Sequence, residues 1–306
     1  MNTSDHTAFL NGEFTPASEL SIPVYDSGFV LGATVAEQLR TFGGRLFRLE
    51  HHLERFFASL ELIDLVIPYS RGELESAAQS IVEVNHVRID RERDLGLCLF
   101  ATPGPYSTMA PVGVSGPIVA MHTYPLPFHR FAVTYRSWQA LVTTDVPQIP
   151  AASLPRDLKC RSRIHYYLAD LEAARSEPGS RALMLDSDGS VLEATTANVL
   201  IYHQDEGLIS PPPERILPGI TVAATLEIAA KLGIPHTHRD ISVEEFASAE
   251  EALLTSTSVC VLPVTSLNRR PLGTGRPGPV FKQLLEGWRE LTGIDVAAQA
   301  HQFANR

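Results

Sequence analysis

The run ALMLDSDGSVLEATTANVLIYHQDEGLIS, residues 182–210, restricts the possible folds of this chain more than any other segment. Its apolar stretches are separated by two turn sequences, Ser187-Asp188-Gly189 and Gln204-Asp205-Glu206-Gly207. Asp, Ser and Gly favour turns, and short apolar stretches rich in Val, Ile and Leu favour strands. The run therefore predicts three strands joined by two turns, so the chain contains β-sheet.

Helical patterns occur beside these strands. LEHHLERFFASLELI places Leu49, Leu53, Phe56 and Leu60 on one helical face. The other segments with a helical pattern are 71–84, IHYYLADLEA, TVAATLEIAAKLGI, 243–249 and VFKQLLEGWRELTG. The other predicted strands are AFLNGEF, LSIPVYD, LGLCLFAT, GPIVAMHTY, AVTYRSW, ALVTT and the two sides of EALLTSTSVCVLPV. The mixture predicts an α/β (α+β) fold.

The chain length and one Pro-rich break suggest two domains. A chain of 306 residues corresponds to one large domain or two of ordinary size. The pattern is interrupted at PLPFHR, which contains two prolines. We therefore predict an N-terminal α+β domain at 1–125, a linker at 126–135 and a C-terminal domain at 136–306.

Composition argues against several classes of function. The formal charge of −10 argues against a nucleic-acid or anionic-membrane partner. No apolar run reaches the roughly 18 residues of a membrane helix, and MNTSDHTAFLNGEF lacks the basic and apolar regions of a secretory signal. Three widely spaced cysteines fit a reducing compartment, so we expect a cytoplasmic protein. No metal site is expected.

Lysine is rare in this chain, which draws attention to the stretch DLKCRSRIHYYLADLEA. The three lysines are Lys159, Lys231 and Lys282, and the last two fit solvated positions on helices. Lys159 lies where irregular chain meets a predicted helix, with Arg161 and Arg163 close by. Nearby cations would lower the pKa of its amine, and such a lysine can act as a nucleophile. The local sequence leaves two interpretations open, a solvated side chain and a Schiff-base lysine.

Other segments contribute polar groups with a similar ambiguity. Glu193 stands on a strand among uncharged residues, where a carboxylate is expected to have a specific partner. LPGIT begins a helix whose free N–H groups suit a phosphate, although it also fits a plain helix start. TSTS, at 255–258, is a hydroxyl-rich turn between strands. Arg55 lies near the apolar stripe of its helix and also fits a solvated position.

A Schiff-base lysine, a carboxylate, an arginine and a phosphate-binding helix start together suggest pyridoxal 5'-phosphate (PLP). In the order and residue types of these segments the chain resembles the class IV, fold-type IV aminotransferases. This family includes branched-chain aminotransferases, D-amino acid aminotransferases and aminodeoxychorismate lyases. The resemblance extends from NGEF to LPVTSL and rests on VYDSGFVLGATVAEQLRTF, FRLEHHLERF, DLKCRSRIHYYLADLEA, SVLEATTANVL, ILPGIT and LLTSTSVCVLPV. It implies a two-domain PLP enzyme of the D-amino acid aminotransferase-like fold, with the cofactor between the domains and a homodimeric assembly.

The resemblance also implies roles for particular residues. Lys159 matches the catalytic lysine that binds the cofactor as an imine, and Glu193 matches the carboxylate on the pyridine nitrogen. The expected phosphate contacts are Arg55, Ile220, Thr221 and Thr257, and Asn198 matches a supporting asparagine.

The substrate is less well defined by the sequence. Branched-chain enzymes usually have a tyrosine where this chain has Ile164. Gln38 replaces the threonine expected for the lyase, and Pro103 replaces the arginine expected for D-amino acid enzymes. Candidate substrate residues are Arg40, Leu31 and Arg163.

We expect a transaminase that moves an amino group between an amino acid and an α-keto acid, with a branched-chain-like amino acid as the preferred donor. The alternatives are a PLP lyase of the aminodeoxychorismate lyase type and a D-amino acid or amine transaminase.

Overall fold

The computed structural model describes residues 6–305, so the first five residues of the segment tested for a secretory signal lie outside it. The described chain forms two compact units. One contains residues 6–126 and 158–162, and the other contains 127–157 and 163–305. None of the helices in the described chain is both long enough and apolar enough to cross a membrane.

The first unit is an antiparallel sheet with two long helices on one face. Its strands are β1 (Thr7–Leu10), β2 (Glu13–Pro16), β3 (Val35–Phe42), β4 (Arg45–Leu46), β5 (Leu95–Thr102) and β6 (Ile118–Pro125), and its helices are α1 (Ser27–Val30), α2 (Leu49–Glu61) and α3 (Arg71–His86). The strand order is β2-β1-β6-β5-β3-β4. Leu53 and Phe56 of α2 and Leu74 and Ile81 of α3 pack with Leu97 and other residues of the sheet in one apolar core.

Residues 158–162 belong to the first unit, although they lie far along the chain. The Ala36 N–H donates to the Lys159 carbonyl at 3.0 Å, and the Arg161 N–H donates to the Thr34 carbonyl at 2.9 Å. The Lys159 N–H donates to Ser59 Oγ on α2 at 3.2 Å. The backbone of the predicted catalytic lysine is therefore held by both β3 and α2.

The second unit is built around a closed ring of strands. Its strands are β7 (Gln139–Thr143), β8 (Arg181–Leu185), β9 (Val191–Ala194), β10 (Ala197–His203), β11 (Gly207–Ser210), β12 (His236–His238), β13 (Glu251–Ser256), β14 (Cys260–Leu267) and β15 (Arg270–Pro271). The order β10-β13-β14-β7-β8-β9 closes because β9 also pairs with β10. Leu141, Leu183, Val199, Leu254 and Leu262 are buried in its main core.

Helices cover this ring. They are α4 (Phe128–Ser137), α5 (Ile164–Ser176), α6 (Ile220–Lys231), α7 (Val243–Ser248), α8 (Pro279–Thr292) and α9 (Val296–Phe303), with a 3₁₀ turn at Pro213–Arg215. Ala169 and Ala173 of α5 are buried with Ala182 of β8, and the Trp288 Nε1–H of α8 donates to Thr225 Oγ1 of α6 at 3.1 Å.

Two predicted strands are wrong. AVTYRSW lies mostly in helix α4, where Phe131 and Tyr135, four residues apart, pack on the main core of the unit. The helical period becomes visible only when Phe128 and Phe131 are included. LSIPVYD contains Pro23 and forms no strand, and its Asp26 instead caps α1 by accepting from the Gly28 N–H at 2.7 Å.

The run 182–210 also contains one more strand than predicted. The apolar pattern of VLEATTANVL predicts a single strand, but the segment forms β9 and β10, which reverse direction at Thr195 and Thr196. Thr196 has a φ of 61°, a left-handed conformation that is rare for a β-branched residue. Threonine favours strands and gives no turn signal, so the sequence hides this reversal.

The predicted linker at 126–135 is occupied mainly by α4. The change from the first unit to the second follows Leu126. The domain limits drawn from the sequence stay a prediction.

Candidate active site

In the second unit, three neighbouring strands place Glu193 in line with Asn198 and Thr255. Glu193 of β9 lies opposite Asn198 of β10, and Asn198 lies opposite Thr255 of β13. Directly opposed residues share one face of a sheet. Glu193, Asn198 and Thr255 therefore form a row across the ring of strands, and all three are buried.

The start of helix α6 lies beside this row. The Asn198 side-chain amide donates to the Leu217 carbonyl at 2.9 Å. A Cβ on Gly219, the N-cap of α6, would lie 1.9 Å from Asn198 Oδ1, so glycine is required there. Ile220 and Thr221 form the first turn of α6, and both are buried. The structure thus brings the helix start of LPGIT to the strand row that contains Glu193.

Thr257 lies close to the same row along the chain. It is half-buried in the turn between β13 and β14, two residues after Thr255. The Thr255 Oγ1 atom is buried and has no hydrogen-bond partner among residues 6–305. A buried hydroxyl without a partner carries an energetic cost, which a bound polar group would remove.

Glu193 is buried and has neutral hydrogen-bond donors. Its Oε1 accepts from the Tyr166 hydroxyl at 2.5 Å and from Gln148 Nε2 at 2.7 Å. Burial raises the pKa of the Glu193 carboxyl, whereas the Tyr166 bond and the charges of Arg156 and Arg163 act to lower it. Ionisation of Glu193 therefore carries a desolvation cost that a neighbouring cation would offset.

In the first unit, Arg55 and Lys159 are grouped around a residue that the sequence analysis missed. Glu37 of β3 is fully buried and accepts from Arg55 Nε at 2.7 Å and from Arg55 Nη2 at 2.9 Å. His52 Nδ1 lies 2.7 Å from Glu37 Oε2. Because an ionised carboxylate only accepts, that nitrogen donates.

The charges of this cluster are strongly coupled. Burial alone would raise the pKa of Glu37, but Arg55 and His52, with a smaller effect of Lys159, hold it well below its usual range. Burial lowers the pKa of His52, which favours the neutral ring. The signal that could have revealed the cluster is an acid in the buried strand VAEQLRTF opposite His52 and Arg55, which lie three residues apart on one helical face.

The three candidate substrate residues have different environments. Arg40 is buried in the first unit, with its guanidinium 4.3 Å from the Phe42 ring centroid and 3.9 Å from Asp94. Leu31 is exposed at the end of α1, and Arg163 is half-buried at the N-cap of α5. Arg40 is therefore buried, whereas the Leu31 side chain is exposed and Arg163 is partly exposed.

Comparisons with known proteins identify the family of this chain. The family model for amino-transferase class IV matches residues 34–267. A D-alanine aminotransferase of Bacillus licheniformis is 28% identical over 276 residues, covering 90% of this chain and 93% of that protein.

Solved structures show the same fold. A branched-chain amino acid aminotransferase from T.th., solved with pyridoxamine 5'-phosphate, superposes with a TM-score of 0.84 at 24% identity, covering 95% of this chain and 96% of that one. The branched-chain aminotransferase of Thermoproteus uzoniensis with norvaline gives 0.82 at 25% identity and 97% coverage of both chains. This chain belongs to the class IV aminotransferases, and it is a PLP-dependent enzyme with the fold-type IV architecture.

Proposed function

We propose that this enzyme is a transaminase that moves an amino group between an amino acid, with a branched-chain-type side chain as first choice, and an α-keto acid. The observation that carries the proposal is the buried Glu193 carboxylate, which has neutral donors and lies in one row with Asn198 and Thr255. Such a carboxylate suits a protonated pyridine nitrogen, because an opposite charge offsets its desolvation.

The residues present fit PLP at the phosphate end as well. The first turn of α6 presents backbone N–H groups, and Asn198 leaves no room for a side chain at position 219. The Thr255 hydroxyl has no hydrogen-bond partner in the described chain. A helix N-terminus with a glycine is a favourable phosphate site. Ile220, Thr221 and Thr257 would hold the phosphate there, and Arg55, fixed by Glu37, would add a charge-assisted bond.

Each catalytic role follows from residue chemistry. When bound, PLP supplies an electron sink for the charge that develops at the substrate Cα. Lys159 would bind the cofactor covalently and afterwards move the Cα proton with its free amine, a role that arginine cannot fill because it stays protonated. The backbone of Lys159 is held by Ala36 and Ser59, which limits the positions its amine can reach.

The choice of substrate rests on the relatives. The likeness to the branched-chain aminotransferase of Thermoproteus uzoniensis supports a branched-chain-type donor, and the D-alanine aminotransferase relative supports a D-amino acid as the second candidate. Arg163 and Leu31 are accessible and remain our candidates for substrate contact. Arg40 remains a candidate as well, with partners that favour a role inside the sheet.

The proposal also includes a cytoplasmic homodimer. The three cysteines are buried and form no disulfide within residues 6–305, which fits a reducing compartment. Ile164, Tyr167 and Leu168 form an exposed apolar stripe on α5, and such a stripe suits a second protein chain.

Replacing Lys159 with Ala tests the central claim. Borohydride reduction of the PLP-loaded enzyme should attach the cofactor to a single peptide, the one containing Lys159, as measured by mass spectrometry. The variant should retain no covalently attached cofactor, whereas Lys231→Ala, which alters a helix-end lysine, should be modified like the wild type. Covalent attachment in the Lys159 variant would contradict the proposal.

A half-reaction screen identifies the substrate class. Spectral conversion of the loaded enzyme is followed with D-amino acids, L-amino acids and amines, and turnover is then measured with and without an α-keto acid. The proposal expects conversion by branched-chain L-amino acids and turnover only with an acceptor. Turnover without an acceptor would indicate the lyase, and preference for D-amino acids would select the second candidate.

A further inference from the structure

Glu193, Tyr166 and Gln148 form a closed set of three hydrogen bonds within the second unit. Tyr166 and Gln148 both donate to the same carboxylate oxygen, Oε1, at 2.5 and 2.7 Å. Gln148 Nε2 also donates to the Tyr166 hydroxyl oxygen at 3.1 Å. The two N–H bonds of one amide and the single hydroxyl proton account for all three contacts. Neither of these two donors contacts Oε2, and the Leu217 backbone is a further hydrogen-bond partner of the carboxylate.

Each donor is held in place by its own surroundings. Gln148 is fixed at its backbone, where its N–H donates to the Leu185 carbonyl at 2.9 Å. Its side-chain oxygen accepts from the Ile149 N–H at 2.9 Å, which turns the NH₂ group toward Glu193. Tyr166 packs against the apolar cluster between α5 and β8 that contains Ala169. These donors are therefore oriented before any ligand binds.

The electrostatic balance shows what the donors do. Burial favours the neutral acid, whereas charge-assisted hydrogen bonds favour the carboxylate. Burial and the nearby Glu193 charge raise the pKa of Tyr166 far above its usual value, so the hydroxyl keeps its proton and remains a donor. The charges of Arg156 and Arg163 lower the pKa of the Glu193 carboxyl, as the Tyr166 hydrogen bond does.

We propose that Tyr166 and Gln148 are positioning residues that keep Glu193 ionised and hold its Oε1, so that Oε2 is the oxygen offered to the cofactor ring. This inference rests on the proposed function for the role of Glu193 at the ring nitrogen. It also gives Tyr166 a function in a chain that has Ile164 at the position where branched-chain enzymes usually have a tyrosine.

The apoenzyme provides the first test. Infrared difference spectroscopy against Glu193→Gln follows the protonated carboxyl band of Glu193 as the pH changes. In Tyr166→Phe and in Gln148→Leu, the titration midpoint should rise by about one to two pH units, because each variant removes a bond that stabilises the carboxylate. Tyr202→Phe is the matched control, since Tyr202 is half-buried on β10, four residues beyond Asn198, and the Glu193 midpoint in this variant should equal that of the wild type.

Two variants keep the test decisive. If Tyr166→Phe does not fold, Gln148→Leu removes a donor from the same oxygen and carries the test. The double variant should shift by less than the sum of the single shifts, because the two donors also contact each other. A midpoint in Gln148→Leu and in a folded Tyr166→Phe equal to that of the wild type would overturn the proposal.

The loaded enzyme separates this inference from the proposed function. With ¹⁵N-labelled PLP, the ring-nitrogen resonance should move toward that of an unprotonated pyridine in Tyr166→Phe and stay unchanged in Tyr202→Phe. If Glu193→Gln leaves the wild-type resonance unchanged, the assignment of Glu193 to the ring is wrong, whatever the apoenzyme shows. If Glu193→Gln moves the resonance but neither donor variant does, the positioning role is wrong.

Discussion

At the scale of single residues, buried carboxylates with opposite charge balances characterise this protein. Glu37 is surrounded by cationic and N–H donors, so its pKa is depressed, whereas Glu193 has mostly neutral donors, so burial raises its pKa. A carboxylate already paired inside the protein has little charge to offer a ligand, while one without an internal cation can pair with an incoming cation. This difference is the physical reason to assign Glu37 to the positioning of Arg55 and to propose Glu193 as the residue that binds the cofactor.

Glu37→Gln should therefore destabilise the protein in a pH-dependent way. Removing one partner of a buried ion pair costs about 3–5 kcal/mol of unfolding free energy at neutral pH. The pKa of Glu37 in the folded protein lies below its usual value of 4.5. The stabilisation that ionised Glu37 provides is therefore complete above pH 4.5, and it is lost as the pH falls toward the folded-state pKa. Urea denaturation at several pH values measures the difference from the wild type, which should shrink in acid.

The neighbouring Glu54 provides the control for this prediction. Glu54 is exposed on the same helix as Arg55, so Glu54→Gln should change stability by no more than about 0.5 kcal/mol. Equal stability of the two variants at neutral pH would show that the pair between Glu37 and Arg55 contributes nothing.

At the scale of elements, the start of α6 depends on one glycine. Gly219 has an ordinary negative φ, so it is not needed for the backbone conformation. It is needed because Asn198, which holds the Leu217 carbonyl, leaves no room for a Cβ. The close approach of strand β10 to α6 thus places the helix start relative to Glu193.

Gly219→Ala should consequently weaken phosphate recognition. The overpacking should cost about 1–3 kcal/mol and displace the first turn of α6. The dissociation constant for PLP should therefore rise more than that for pyridoxal, which lacks the phosphate; both are measured by fluorescence titration of the apoenzyme.

Gly72→Ala is the matched substitution for the glycine test. Gly72 lies in the first turn of α3, and a Cβ there meets no atom within 4 Å. Alanine should leave cofactor affinity unchanged and stabilise the helix by at most about 1 kcal/mol. An unchanged ratio of PLP to pyridoxal affinity in Gly219→Ala would exclude a phosphate role for this turn.

At the scale of the whole molecule, the proposed cofactor residues are distributed over both compact units. Lys159 and Arg55 belong to the unit of residues 6–126 and 158–162, whereas Glu193 and Thr221 belong to the other. Residues 158–162 interrupt the second unit in sequence and are bonded to β3 and α2 of the first. Cofactor binding should therefore be linked to the stability of segments that are far apart in sequence.

We expect PLP to stabilise both units by mass action. At 100 times its dissociation constant, PLP should raise the unfolding free energy by about 2.7 kcal/mol. Hydrogen exchange should slow at residues 158–162 and in the first turn of α6. Protection confined to one unit would contradict the distribution of ligands proposed here, and pyridoxal, compared at the same concentration, should stabilise the protein less.

The amino-acid sequence by itself determined the fold class, most of the long helices and strands, and the family. Periodicity reports which residues face a core, so α2, α3, β5 and β6 were predicted close to their observed bounds. The errors fall where the local pattern was ambiguous, in AVTYRSW, in LSIPVYD and at the turn between β9 and β10.

Only the tertiary structure decided which polar groups face each other. Glu37 and His52 meet across a strand and a helix, and Tyr166 and Gln148 meet Glu193 from an adjacent helix and loop. Such pairings depend on where side chains converge after the chain has packed, and no local pattern records that convergence. The pKa values of both carboxylates depend on these neighbours and on burial, so their opposite balance follows from the three-dimensional arrangement.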